Sequence, residues 1–248
     1  MIKQLLINDD DYYVPDANQL ITENDTLDNF ATSKQKRLLI GSLYSSLQQQ
    51  TFLAAANVGI YHTDGQPAIV PDIFLSLDVQ VPQNWWEKQN RCYMVWRFGK
   101  PPEVVIEIVS NKEGDELGKK LQIYEHMRAS YYIVYDPNQQ LGEKVLRVYE
   151  LRGRRYFETS ENWLEQVGLG VTLWEGEFEG RQDHWLRWCY QDGNILSTGD
   201  ERAEQERQRA EQERQRAEQE RQRAEQAEQR TQLLADRLRA MGIDPNTF

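Results

Sequence analysis

The 248-residue chain has two cysteines and three histidines. Cys92 and Cys189 stand alone and form neither a CxxC pair nor a disulfide framework, which points to a reducing, cytoplasmic setting. His62, His126 and His184 are scattered, with no Cys or His at zinc-ligand spacing, so a structural zinc site is not expected. Long hydrophobic runs are also missing. No stretch approaches the ~20 apolar residues that span a bilayer, and the N-terminal run turns acidic at Asp9-Asp10-Asp11 before a signal-type core develops. A membrane partner is therefore not expected. Basic charge is scarce as well: 29 Lys and Arg face 40 Asp and Glu, for a net charge of −11. Counted from residue 201, the end of the chain holds 10 basic and 11 acidic residues, so −10 of the total lies before it. Proteins that wrap nucleic acid carry a basic excess, because phosphate contacts dominate affinity. The deficit argues against tight non-specific DNA binding. It leaves room for a small basic cleft or a divalent metal site, which needs carboxylates.

The composition changes near Gly199. All seven Trp, both Cys and nearly all β-branched and aromatic residues precede it; Glu, Arg, Gln and Ala follow. This predicts one α/β domain over residues 1–199, large enough for a substantial core, and a heptad-repeat helical tail over 200–248. After a loop rich in Asp, Asn, Pro and Thr, residues 33–50 read as an amphipathic helix with Leu38, Leu39, Leu43, Tyr44 and Leu47 at helical spacing and Thr32 or Ser33 as N-cap. Strand patterns follow at 51–58, extending toward His62, and at 68–79 beyond a turn at 63–67. Residues 91–98 alternate like an exposed hairpin strand, and 101–109 contains, at 104–109, a short apolar run of the kind buried in a central strand. A helix is predicted from about Asp115 to Arg128, then a buried strand at 131–135 and a hairpin of 145–151 with 154–159. Strand, helix, strand through this middle portion gives a βαβ-like core in a mixed sheet. Residues 160–199 read as short strands or loops, their Trp residues assigned to the core.

Glu107 is the most informative residue. A carboxylate inside Val104-Val105-Ile106-Glu107-Ile108-Val109 is expensive to bury ionised without a metal, a lysine or several donors. A solvated strand face or a structural ion pair would also satisfy it. Asp72, in Val70-Pro71-Asp72-Ile73-Phe74, is a second carboxylate entering an apolar strand. Two such carboxylates converging at one sheet edge can hold Mg²⁺, with Mn²⁺ as a substitute, and a phosphodiester hydrolase also needs a cation to steady phosphate charge. Lys120 is placed to supply it, because Glu116, Lys120 and Tyr124 at i, i+4 and i+8 share one face of the following helix.

The segments Pro71-Asp72, Val105-Ile106-Glu107-Ile108-Val109-Ser110, Lys119-Lys120 with Tyr124, and Tyr131-Tyr132-Ile133-Val134-Tyr135-Asp136-Pro137 together resemble the Uma2 family of restriction-endonuclease-like proteins, within the PD-(D/E)xK superfamily. The resemblance spans residues 20–200, and the tail is similar to tails on some members. It implies a restriction-endonuclease-like core with an α+β mixed sheet, Asp72 and Glu107 as metal ligands, and DNA as substrate. The superfamily's usual lysine lies two residues after the Glu, where this chain has Val109; the family's pattern implicates Lys120 instead, with Lys119 as the other candidate. The chain also departs at Thr32, where members often have His near the start of the first helix, and at Val70, where many have Gly.

From Ala203, Ala-Glu-Gln-Glu-Arg-Gln-Arg repeats three times and a modified fourth unit begins at Ala224. The period of seven suggests a coiled coil, but positions 203, 210, 217 and 224 are Ala and their companions 206, 213 and 220 are Glu, a poor seam. The expectation is a solvated helix of about 40 residues, about 60 Å long, stopped by Gly242 and Ile243-Asp244-Pro245, with self-association through Leu234–Met241 or a homodimer compatible with the pattern. Two functions fit. One is a Mg²⁺-dependent DNA endonuclease using Asp72, Glu107 and Lys120; the other is a catalytically silent nuclease-fold scaffold that assembles through its tail.

Overall fold

The structure, a computed structural model, describes residues 29–242 apart from Asp64, Glu113 and the side chain of Gln89. The loop read before the first helix and the stop signal at 243–245 lie outside the described residues. The chain divides into two compact units, the first ending at Leu196 and the second beginning at Ser197.

The first unit is mixed α/β. Helix α1 (Phe30–Ser46) leads into β1 (Phe52–Ala56), β2 (Ile60–Tyr61) and β3 (Ile73–Leu77). Then come β4 (Tyr93–Met94), the single helical turn α2 (Val95–Phe98) and β5 (Val104–Ile108). A π-helical turn, Glu116–Lys120, runs directly into α3 (Leu121–Met127), followed by β6 (Tyr131–Tyr135), β7 (Leu146–Arg152) and β8 (Arg155–Thr159). β9 (Trp163–Leu164), β10 (Leu169–Phe178) and β11 (Arg181–Cys189) complete it.

The main sheet has the order β1-β3-β5-β6-β7-β8. Only β5 and β6 run parallel within it, joined through the π turn and α3, which is the βαβ unit read from the sequence. Both strands are buried at every position. Their alternate residues feed two separate cores: Val104, Ile106, Ile108, Tyr131, Ile133 and Tyr135 pack with α1, while Val105, Tyr132 and Val134 pack with Tyr124 and Met127 of α3. Cover on both faces explains why these strands are continuous apolar runs.

Helix α1 begins where the Asn29 side chain accepts from Thr32 N at 2.8 Å, one turn earlier than the predicted cap. It is fastened to the second sheet (β11-β10-β9) by Gln35, whose amide exchanges two hydrogen bonds with the backbone of Leu186, at 2.8 and 3.0 Å. At the β10–β11 turn Glu179 pairs with Arg37 and Lys34, whose hydrogen bonds pull its carboxyl down to about 2.

Two expectations are corrected. Residues 91–98 are not one strand: after two strand residues the chain coils into α2, so that Tyr93 stacks on Phe98 with ring centroids 4.3 Å apart. In a strand, residues five apart would point to opposite faces. Residues 160–199 contain a long antiparallel hairpin, β10 with β11, rather than short pieces. Its outer half, including Glu175, Glu177, Arg181 and Asp183, is exposed and polar, which made it read as loop.

The second unit is helix α4 (Gly199–Ala240), capped by a reciprocal pair in which Thr198 and Glu201 bond each other's backbone N–H. None of its 42 residues is buried. Among the described residues, no helix is long and apolar enough to cross a membrane.

Candidate active site

The sheet itself assembles the acids. The β1–β3 ladder pairs Ala56 with Ile73 and continues one step, Asn57 N donating to Asp72 O at 3.2 Å. The β3–β5 ladder pairs Ile73 with Ile106, and the same register sets Asp72 opposite Glu107. Directly paired residues project from the same face of a sheet. Asn57, Asp72 and Glu107 therefore form a row at one end of three neighbouring strands; Glu107 faces α3, while Asp72 and Asn57 are reached by Lys36 of α1.

Each carboxylate is held by two donors. Asp72 Oδ2 accepts from the backbone N–H of Ile108 at 2.7 Å, and Oδ1 lies 2.7 Å from Lys36 Nζ. Lys36 also donates to Asn57 Oδ1 at 2.7 Å. Glu107, 2 % exposed, receives the Tyr124 hydroxyl on Oε1 at 2.6 Å and Lys120 Nζ on Oε2 at 3.0 Å. Burial pushes the Glu107 carboxyl up to about 7, assisted by the neighbouring charge of Asp72 and opposed by Lys120 and Tyr124. For Lys120, burial lowers the pKa, but Glu107 and Glu116 outweigh it and the net direction is upward.

The π turn places Lys120. Asp115 adopts a left-handed conformation, accepts from Lys119 N with its side chain, and its carbonyl takes Lys120 N in the wide i to i+5 bond. Tyr132 OH clamps the Glu116 carbonyl at 3.0 Å. In this setting Lys120 Nζ bridges Glu107 and Glu116, the second contact at 3.1 Å.

The three predicted residues thus stand in two neighbouring sets, Asp72 with Lys36 and Ile108 N, and Glu107 with Lys120, and Tyr124 is a hydrogen-bond donor to the acid rather than only a packing residue. For Lys119 the main contact is its backbone N–H to Asp115, so the geometry favours Lys120 of the two candidates. Sequence reasoning missed Lys36 and gave Glu116 no role. Both are about 4 % exposed. Lys36 stands in the helical spacing of the buried set Thr32, Gln35, Lys36 and Leu39, a signal that was available.

The donor set fits a hard divalent cation. Every candidate ligand is a carboxylate or amide oxygen, and three acids face two lysines. Glu116 Oε2 is buried with no hydrogen-bond partner, an unsatisfied acceptor beside the lysine. Among the described residues, no group of three or more His, Cys, Asp or Glu could hold a metal by itself.

The family model described as "Uma2: Putative restriction endonuclease" matches residues 6–174. No curated protein matches the chain. Among solved structures, the crystal structure of a "putative nuclease" from Anabaena variabilis ATCC 29413 is similar at 18 % identity, with a TM-score of 0.39, covering 55 % of this chain and 70 % of that one.

Proposed function

Since the chain belongs to the Uma2 family, we propose that it is a metal-dependent endonuclease that hydrolyses phosphodiester bonds in DNA. The observation that carries this reading is that Asp72, one residue before the Ile73–Ile106 pair and bonded to Ile108 N, lies next to Glu107, whose Oε2 stands 3.0 Å from Lys120 Nζ. Asp72 and Glu107 are the residues that would hold Mg²⁺ or Mn²⁺. A bound ion of this kind supplies phosphate polarisation and a water acidic enough to attack at neutral pH.

The chain's own groups do the rest. Ile108 N–H and Lys36 fix the Asp72 carboxylate, and Tyr124 orients Glu107. Lys120, its pKa raised by two carboxylates, stays protonated at neutral pH. It is therefore suited to stabilising charge that builds on the phosphate, and unsuited to accepting a proton. The test is incubation of the full chain with plasmid and single-stranded DNA in Mg²⁺, in Mn²⁺ and in chelator. Cleavage is expected only in the metal arms. Asp72→Asn, nearly isosteric, should cut roughly 100-fold less or worse with an unchanged circular dichroism spectrum. Cleavage at the wild-type rate by that variant overturns the assignment.

One observation favours a second reading. All four oxygens of Asp72 and Glu107 already have protein donors, as in a purely structural ion network. A silent scaffold built on this fold would cut in none of the arms.

A further inference from the structure

Beside the acid row, on the sheet face that carries Glu107, lies an apolar groove of about 680 Å³. Its floor includes Leu53 and Ala55 of β1 and Phe74 of β3. In a strand, residues i and i+2 share a face and stand about 7 Å apart. Ala55 precedes Asn57 by two residues and Phe74 follows Asp72 by two, so the groove starts one strand repeat from the candidate metal ligands.

The wall is aromatic and exposed. Trp85 is 56 % and Trp86 79 % exposed, with their rings edge to face at 5.9 Å. The Arg91 side chain donates to Trp86 O at 3.0 Å and braces that turn. The charge of this stretch is opposite to that of its surroundings. Arg91 lines the groove, and residues 78–103 contain Lys88, Arg91, Arg97 and Lys100 against Asp78, Glu87 and Glu103, a surplus of one positive charge in a domain that carries −10. Exposed indole faces interleaved with cations are the chemistry that holds unpaired nucleobases and their backbone, since each base offers a ring face for stacking once it leaves the duplex. Bases within an intact duplex are already stacked and cannot reach such a groove.

We propose that this groove binds unpaired bases next to the scissile phosphate, so that the substrate is single-stranded or locally opened DNA rather than intact duplex. The proposal rests on the nuclease reading for what lies at Asp72 and Glu107, and its own test is a binding measurement. Fluorescence anisotropy of the full chain in chelator, with a labelled oligothymidylate and a duplex of equal length, should give at least 10-fold tighter binding of the single strand. Replacing both indoles (Trp85→Ala with Trp86→Ala) should weaken single-strand binding roughly 5- to 150-fold while duplex binding is unchanged. The double Phe variant, which keeps two ring faces, should restore most of the affinity and guards against a folding artefact.

Equal single-strand affinity for the wild type and the Ala variant overturns the proposal. So does sedimentation velocity in which the Ala variant turns a wild-type dimer into a monomer while single-strand binding persists, which would make the groove a self-association face. The two readings fail separately. Metal-dependent cleavage without indole-dependent binding removes the groove and leaves the nuclease; indole-dependent binding without cleavage in any metal arm removes the nuclease and upholds the groove.

Discussion

Glu107 combines near-complete burial with two donors and a neighbouring acid, and that combination has a measurable consequence. Its carboxyl rises from an ordinary value near 4.5 to about 7 in the folded chain, chiefly through burial. A carboxyl raised on folding contributes stability below its unfolded value and loses it as pH climbs through the folded value. The window is therefore pH 4.5 to 7, and the full loss corresponds to about 3 kcal/mol. Other groups titrate over the same range, so the informative quantity is a difference. Glu107→Gln removes the charge but keeps the size, and its stability relative to wild type should grow between pH 4.5 and 7 in metal-free buffer. Urea midpoints taken across that range measure it. A difference that stays flat with pH means that Glu107 ionises as freely in the folded chain as in water. Added Mg²⁺ should stabilise the wild type more at pH 7.5 than at pH 5, because a metal ligand must be deprotonated.

At the level of elements, the π turn between β5 and α3 sets the lysine. Gly114 precedes it, and a Cβ built there would stand 1.9 Å from Glu116 Oε1, so any side chain must displace the carboxylate that shares Lys120. Gly114→Ala should reduce cleavage roughly 10- to 100-fold, the scale of a misplaced catalytic group. Gly41, inside α1, meets nothing within 4 Å, and Gly41→Ala should raise stability by about 0.5–1 kcal/mol with cleavage unchanged. Plasmid nicking and urea midpoints on the two variants separate a site effect from a helix effect; equal behaviour would sink the argument. What was legible in the sequence follows from the same local physics. The strand Tyr131–Tyr135 was read with its observed ends, and Val104–Ile108 lies inside the segment 101–109 read for it, because a strand covered on both faces has little choice but a run of apolar residues. The acid inside that run marked the candidate site for the same reason. Residues 91–98 misled because Tyr93, Val95 and Phe98 suit either element, and the stacking of Tyr93 on Phe98 is a tertiary preference with no local signature. Lys36 was missed because Lys34, Lys36 and Arg37 look alike along the chain, and only the packing of α1 selects which of them reaches Asp72. The π turn was unreadable: Glu116, Lys120 and Tyr124 already fit an ordinary helix, and the left-handed Asp115 that widens it follows no glycine rule.

Across the whole chain, two kinds of stability lie in series. The first unit encloses two apolar cores, on opposite faces of its main sheet, and should unfold cooperatively. Helix α4, about 63 Å long at 1.5 Å per residue, has no buried residue to make it cooperative with anything. It rests on helix propensity, the cap at Thr198 and exposed pairs such as Glu204–Arg207 and Glu218–Arg221, each about 0.2–0.5 kcal/mol. Helices sustained this way melt gradually. Trp fluorescence and far-ultraviolet circular dichroism should therefore disagree on heating, since every tryptophan precedes residue 189 while α4 supplies much of the helical signal. The dichroism at 222 nm should decline along a broad slope well before the fluorescence breaks sharply. Because the heptad seam offers Ala and Glu rather than paired large apolar residues, that slope should not move with protein concentration. A sharp, concentration-dependent dichroism transition would instead mean that Leu233, Leu234 and Met241, exposed in the single chain, are covered by another copy and that the tail is an assembly element after all.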